Sequence, residues 1–162
     1  MKYIKLFENY KKPELHIFDT RAFSDYVYGN SGILKDPTIV DRIKYFLPEL
    51  DLPRFKETLY ILFFPLTLGE KVIGLGKLHE DPYNKENYWI QYISIDPKYQ
   101  SKGYATEIAT AMFKWAVENN KSLESSSYNE IGTERIKKVF NRLATEYNVK
   151  FKDEYNVKFK DR

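Results

Sequence analysis

The sequence predicts an α+β (α/β) fold in which a mixed, mostly antiparallel sheet is flanked by helices. Apolar, β-branched and aromatic runs at 58–66, 72–78 and 88–95 are separated by polar turn residues, as is typical of an antiparallel meander. A helix-forming run follows Gly103, and a short strand is predicted at 123–127. Because a strand, a crossover helix and a strand in one sheet form a right-handed parallel pair, the sheet should also contain a central parallel pair.

The N-terminal residues 1–58 are predicted to form small elements on the substrate side of the domain. Residues 3–7 have the pattern of an edge strand, and Thr20–Tyr28 has the pattern of a short helix. A second helix is predicted from 36 to 48, where an Asp-Pro pair supplies the cap and the first residue. Such helices would form a lid or a pocket wall.

A hairpin is predicted before the central strand. Residues 68–71 form the turn into the strand 72–78, which carries Gly74 and Gly76 on one face. Two glycines weaken a strand, so we expect another element to pack closely over that face. The polar run 81–87 is predicted to be a loop.

Two longer helices are predicted from apolar residues at helical spacing. The first follows Gly103 and ends at 119–120, and the second begins near Thr133. Their apolar faces contain Ile108, Met112, Trp115 and Ala116 in the first helix, and Ile136, Val139, Phe140, Leu143, Ala144 and Tyr147 in the second.

The C-terminus holds a tandem repeat. The octapeptide Glu-Tyr-Asn-Val-Lys-Phe-Lys-Asp occupies 146–153 and again 154–161. Each copy alternates apolar and polar residues, so each can form a half-buried strand. We expect one copy to complete the sheet and the second to be a redundant extension. The alternative is that the second copy pairs with the sheet edge of another subunit and forms a homodimer.

Composition limits the chemistry. The 162 residues suit one domain, and 43% apolar with 30% charged residues indicates a folded protein. The chain has no cysteine, which excludes disulfides, thiolate metal sites and cysteine nucleophiles. Its two histidines, His16 and His79, are far apart in sequence, so no metal site is expected.

Neither a membrane nor a nucleic acid is an expected partner. Residues 1–10 lack the apolar core of a signal peptide, and no stretch has the length of a membrane span, so a cytoplasmic location is expected. The formal net charge of +3 is spread along the chain, whereas nucleic-acid binding needs a clustered basic face.

The stretch after the central strand predicts an anion site. Asp96-Pro97 ends the strand, and a short polar loop leads to Gly103 and the start of a helix. The first turn of a helix offers unpaired backbone N–H groups and the positive end of the dipole, and Lys102 adds a positive charge. A phosphate fits this environment, although the spacing of a P-loop and that of a dinucleotide fingerprint are both missing.

The residues that remain resemble the acyl-CoA loop of the GNAT superfamily of N-acyltransferases. The run Gln100-Ser-Lys-Gly-Tyr-Ala105 follows Ile93-Ser-Ile-Asp-Pro-Lys-Tyr99 and opens an amphipathic helix, and the hairpin segment 70–74 also fits. The resemblance spans roughly 59–151. It implies a single-domain acyl-CoA N-acyltransferase fold over 1–162, with 59–151 as the acyl-CoA-binding core.

The resemblance implies acetyl-CoA as co-substrate and a set of binding residues. The backbone of one loop would bind the pyrophosphate, and the backbone of the central strand would pair with the pantetheine arm. The loop residues are Gln100, Ser101, Lys102, Gly103, Tyr104 and Ala105, with Thr106 as a hydroxyl donor, and the strand residues are Ile93, Ser94 and Ile95.

The catalytic residues of the family are the part that this sequence does not match. Phe140 stands where a tyrosine often serves as the acid, so Tyr128 is the predicted substitute. No glutamate occupies the early part of the central strand. Glu80 is therefore the predicted base, with His79 and Glu86 as alternatives and water relays as a further route.

The resulting prediction is an enzyme that transfers an acetyl group from acetyl-CoA directly to a primary amine of a small molecule or a protein. Two alternatives stay open at this point. One is a non-catalytic acyl-CoA sensor, because the expected tyrosine and glutamate are missing. The other is a nucleic-acid or protein interaction module, because the C-terminal repeat is rich in lysine.

Overall fold

The computed structural model describes residues 12–28, 60–69, 71–125 and 133–153. Several predictions lie outside these residues: the strand at 3–7, the helix at 36–48, the role of Tyr128 and the second repeat copy.

The described strands form one mixed sheet. The strands are β1 (Glu14–Leu15), β2 (Phe18–Asp19), β3 (Ile61–Leu68), β4 (Lys71–Asp81), β5 (Asn84–Ile95), β6 (Ser122–Ser125) and β7 (Phe151–Asp153). Their order in the sheet is β1-β3-β4-β5-β6-β7, and β2 also pairs with β3. The pairs from β1 to β5 are antiparallel, while β5–β6 and β6–β7 are parallel. The predicted mixed sheet with a central parallel pair is thereby confirmed, and a second parallel pair is added.

Three helices begin and end close to the predicted residues: α1 (Thr20–Tyr28), α2 (Tyr104–Glu118) and α3 (Thr133–Tyr147). At the start of α1, the Asp19 carboxylate accepts a hydrogen bond of 2.8 Å from the N–H of Ala22, which is an N-cap contact. A short 3-10 turn, Pro97–Tyr99, lies between β5 and α2.

The predicted loop at 81–87 is wrong in extent. β4 continues to Asp81 and β5 begins at Asn84, so a tight turn joins the two strands. The carboxylate of Asp81 accepts hydrogen bonds from the N–H of Tyr83 at 2.9 Å and from the amide of Asn87 at 3.1 Å. These contacts satisfy the polar side chains within the hairpin, so the polarity of the run does not end the strands.

The first repeat copy does not form a strand over its whole length. Its first two residues, Glu146 and Tyr147, complete α3, and only Phe151–Asp153 is strand. Asn148 takes a positive φ of 54°, and the N–H of Val149 donates to the carbonyl of Ala144 at 3.0 Å, which closes the helix end. The expectation that one copy completes the sheet is confirmed by β7.

The helices cover the two faces of the sheet. α2 and α3 pack on one face, here called the α2 face, and α1 packs on the other, the α1 face, where the ring of Phe23 stacks on Phe63 at 4.0 Å. A Cβ on Gly76 would lie 2.5 Å from Cγ2 of Ile108 and 2.6 Å from Cε of Met112. The expectation that an element packs closely over the glycines is therefore confirmed, and the element is α2.

Candidate active site

The loop between β5 and α2 is held in place by Asp96. This residue is buried, its N–H donates to the carbonyl of Ile73 at 2.8 Å, and its carboxylate accepts from the N–H of Lys98 at 3.0 Å. Both contacts use backbone groups, so the loop has one fixed position relative to β4 and to the 3-10 turn.

The side chain of Gln100 also holds this loop in place. Its amide nitrogen donates to the carbonyl of Ile95 at 3.1 Å, so the side chain holds the loop against the end of β5. The backbone of Ser101 and Gly103 is left-handed, with φ of 65° and 83°. Glycine adopts this conformation without the steric cost that a side chain adds.

The start of α2 presents a row of free backbone donors. The N-cap Gly103 gives no side-chain cap, and the first hydrogen bond of the helix runs from the N–H of Glu107 to the carbonyl of Gly103 at 3.1 Å. Within the described part of the chain, the N–H groups from Ser101 to Thr106 have no acceptor. A Cβ on Gly103 would meet no atom within 4 Å, so this surface is open. Free donors, the helix dipole and open space together fit a pyrophosphate.

The sheet opens along the part of β5 that leads into this loop. β5 and β6 pair from Asn87 with Ser122 to Ile90 with Ser125, while β5 continues to Ile95. Along this continuation, β5 has no strand partner on the β6 side among the residues that the structure describes. An extended ligand can add to such an edge as a further strand would.

A β-bulge lies where the two strands part. Leu78 pairs with Ile90 and Lys77 pairs with Tyr92, so Gln91 is an extra residue on β5. A bulge bends a strand and increases its twist, which turns the free part of β5 away from β6. Ile93 and Ser94 are half-buried and Ile95 is buried. The structure therefore brings the predicted strand residues and loop residues together along one continuous edge.

Glu80 lies elsewhere, at the hairpin end of β4. It pairs with Tyr88, whose hydroxyl donates to its carboxylate at 3.4 Å, and the ring of Tyr88 packs on Trp115 at 4.8 Å. Burial and the negative charge of Glu80 raise the pKa of the Tyr88 hydroxyl, so that it stays protonated. Because Trp115 is near the C-terminal end of α2, the structure does not bring Glu80 together with the loop at Gly103.

The other sequence-predicted groups have separate environments. His79 Nδ1 contacts the carbonyl of Glu80 at 2.7 Å, and Glu86 forms an exposed ion pair with Lys121 at 3.7 Å. Phe140 is buried, with its ring 6.1 Å from that of Phe113. Phe140 therefore packs in the core, as its hydrocarbon side chain requires.

Glu124 is a residue that the sequence analysis did not single out. It lies on β6, it is buried, and its carboxylate is 3.6 Å from Nζ of Lys152 on β7. The sequence feature that could have indicated Glu124 is a single acidic residue inside a short predicted strand. The alternation of side chains along a strand places it on the face opposite Leu123.

The described residues contain no group of three or more His, Cys, Asp or Glu residues arranged to hold a metal ion. No helix in the same ranges has the length and apolar character needed to span a membrane.

Comparison with known proteins identifies the family. The sequence profile of the Acetyltransferase (GNAT) family matches residues 33–134, which is more than half of the chain. No curated protein matches the chain.

Solved structures with the same architecture are distant in sequence. The aminoglycoside acetyltransferase meta-AAC0020, from an uncultured soil metagenomic sample and in complex with sisomicin, has a TM-score of 0.54 and 11% identity, over 80% of this chain and 85% of that one. Aminoglycoside N-acetyltransferase AAC(6')-Iy in complex with CoA has a TM-score of 0.53 and 11% identity, over 83% and 88%. A ribosomal-protein-alanine N-acetyltransferase from Brucella melitensis biovar Abortus 2308 has a TM-score of 0.51 and 13% identity, over 79% and 90%. At such identities the likeness shows a common fold.

Proposed function

The chain belongs to the GNAT family of acetyltransferases, and from this premise we propose that it transfers an acetyl group from acetyl-CoA directly to a primary amine in a ternary complex. The observation that carries the proposal is one continuous edge, in which free N–H groups at Ser101–Thr106 adjoin the unpaired part of β5. We also propose that the protein is located in the cytoplasm.

The binding roles follow from this edge. The pyrophosphate would be held by the backbone N–H groups of Ser101, Lys102, Gly103, Tyr104, Ala105 and Thr106. The side chain of Lys102 would supply a positive charge, and the hydroxyl of Thr106 would be a further donor. Gln100 would act through the loop, because its side chain is bonded to Ile95. The backbone of Ile93, Ser94 and Ile95 would pair with the pantetheine arm.

When bound, acetyl-CoA supplies an acetyl group activated as a thioester. The residues of this chain would hold that group where β5 and β6 part, and N–H groups beside Gln91 would polarise its carbonyl. Holding both reactants in one geometry supplies much of the rate enhancement. For the proton transfers, Glu80 as base and Tyr128 as acid remain predictions from the sequence, with His79, Glu86 or water relays as the alternatives for the base.

Substitution Glu80→Gln tests the predicted base. If Glu80 takes the proton of the amine, kcat should fall by about 100-fold, the lower end of the range for a general base, while the affinity for acetyl-CoA is unchanged. The matched control is Tyr88→Phe, which removes the hydroxyl contact of 3.4 Å but keeps the carboxylate. Steady-state kinetics that leave Glu80→Gln within threefold of the wild type would exclude the role.

The function itself is tested by two measurements on the full chain. Calorimetric titration with acetyl-CoA should show binding, and thiol release should show turnover with at least one amine from a panel of an aminoglycoside, a polyamine, amino acids and a peptide with a free N-terminus. Binding without turnover on any amine would favour the acyl-CoA sensor, for which the buried Phe140 is the specific observation.

Deletion of 154–162 tests the role of the second repeat copy. β7 comes from the first copy, so we expect the melting temperature to stay within about 2 °C and the mass in solution to be unchanged. The alternative proposal is a homodimer in which the second copy pairs with the outer edge of the partner's sheet. Analytical ultracentrifugation would support that dimer if the full chain has twice the mass of the truncated one.

A further inference from the structure

A row of side chains crosses the sheet on the α1 face. In the register of the strands, Ile61 pairs with His79, His79 with Trp89, Trp89 with Glu124, and Glu124 with Lys152. The neighbours Leu78, Tyr88 and Leu123 belong to the core under α2, so alternation places the row on the opposite face.

Glu124 is the acidic member of this row, and it lies close to the end of the pairing between β5 and β6. The strand pairing of β5 with β6 ends one residue later, at Ser125. The carboxylate therefore lies at the point where the sheet opens, the same point at which the bulge at Gln91 turns β5 away. The proposed position of the thioester is beside it.

Because the Glu124 carboxylate is buried, its negative charge has to be compensated. Its side chain is only 8% exposed, and a buried carboxylate is costly unless a positive charge or hydrogen-bond donors compensate it. In the described part of the chain, the compensating charge is Lys152, whose Nζ lies 3.6 Å from Oε1.

Lys152 shows how a cation reaches this carboxylate. The lysine side chain is 61% exposed, so its ammonium group approaches the buried carboxylate from the solvent side. A distance of 3.6 Å is an ionic contact and exceeds a good hydrogen bond. An ammonium group from another molecule would keep the carboxylate compensated, so it can replace that of Lys152 at small cost.

We propose that Glu124 binds the ammonium group of the acceptor amine, in the position that Lys152 takes when no acceptor is present. This inference rests on the proposed acetyl transfer and assigns the acceptor side of the same site.

Trp89 is the strand neighbour of Glu124 in the row, and its ring stacks on that of His79 with centroids 6.1 Å apart. An aromatic ring on this face would favour a cation that binds there. The acceptor class is a positively charged aliphatic amine, presented from the α1 face. Glu80 pairs with Tyr88 and therefore lies on the α2 face, so a base at Glu80 and an acceptor at Glu124 are competing assignments that the kinetics of Glu80→Gln and Glu124→Gln separate.

Two variants with opposite expected effects test the proposal. Glu124→Gln keeps the shape of the side chain and removes its charge, so the KM for the amine and the Kd of its complex should rise about tenfold. Lys152→Met removes the competing ammonium group, so the same KM should fall about threefold or more. Glu118→Gln, on the exposed last residue of α2, is the charge control and should behave as wild type.

The measurements separate the acceptor site from the cofactor site. Calorimetry with acetyl-CoA should give affinities within twofold of wild type for all three variants, and calorimetry with the best amine of the panel, in the presence of CoA, should give the changes above. If the wild type fails to bind acetyl-CoA, the proposed function fails as well. Acetyl-CoA binding without binding of any amine counts against the Glu124 site alone.

Other outcomes overturn the inference directly. An amine affinity of Glu124→Gln within twofold of wild type would show that the carboxylate does not contact the acceptor. If Glu124→Gln lowers the melting temperature and both affinities together, the result for Lys152→Met decides. An unchanged or raised KM in Lys152→Met then assigns the pair a structural role.

Discussion

Gly103→Glu should lower the affinity for acetyl-CoA at least about 100-fold, a loss of about 2.7 kcal/mol, without unfolding the protein. The new carboxylate would stand beside the free N–H groups at the start of α2 and repel a pyrophosphate there. Because a Cβ at this position meets no atom within 4 Å, the side chain itself creates no clash. Isothermal titration with acetyl-CoA and thermal melting by circular dichroism are the two measurements.

The control for this variant is Gly103→Ala. Both substitutions place a side chain at a φ of 83°, which costs about 1–2 kcal/mol, so their melting temperatures should fall by similar amounts. Only the glutamate adds a charge, so we expect the alanine variant to keep its affinity within about tenfold. Full affinity in Gly103→Glu would refute the assignment of the loop.

Gly76→Val should lower the free energy of unfolding by about 3 kcal/mol, near the upper end for an overpacked core. The added Cβ would lie 2.5 Å from Ile108 and 2.6 Å from Met112, both completely buried in α2. In a domain of this length the loss corresponds to a fall of roughly 10 °C in melting temperature. Urea denaturation followed by circular dichroism measures it.

A double substitution tests the cause. Gly76→Ala should also be destabilising, whereas Gly76→Ala combined with Ile108→Leu should recover part of the loss, because leucine lacks the branch methyl that the new Cβ would meet. If the two changes are simply additive, the close approach of α2 is not what limits the size of residue 76.

Local patterns were sufficient to predict the helices. The residue pattern of Thr20–Tyr28, Gly103 before α2 and the apolar spacing of α3 are local signals, and the structure has those helices where they were expected. The close packing over Gly74 and Gly76 was also predictable, because glycine weakens a strand and often marks a place where another element approaches the backbone closely.

Features that depend on distant contacts were not predictable. The bulge at Gln91 and the tight turn after Asp81 follow from the register between β4 and β5. The division of the first repeat copy depends on where α3 ends, at Asn148 and Val149. In each case a local apolar or polar pattern is compatible with more than one register, and tertiary packing selects among them.

The candidate site also has one part that was predictable from the sequence and one part that was not. The loop from Gln100 to Thr106 is contiguous in sequence, so its turn residues and helix start were visible together. The approach of Lys152 to Glu124 requires β6 and β7 to be parallel neighbours, with α3 between them in the chain. No pattern within either segment encodes that pairing.

The hydrogen bond from Gln100 to the carbonyl of Ile95 marks the end of the free strand edge. A molecule that adds to β5 in an extended form has to leave the strand there and turn toward Gly103. From Ile95 back to the bulge at Gln91 the strand covers about 13 Å. The distance between the anion site and the opening of the sheet is therefore constant, and only a carrier arm of matching length can deliver its terminal group to the reacting position.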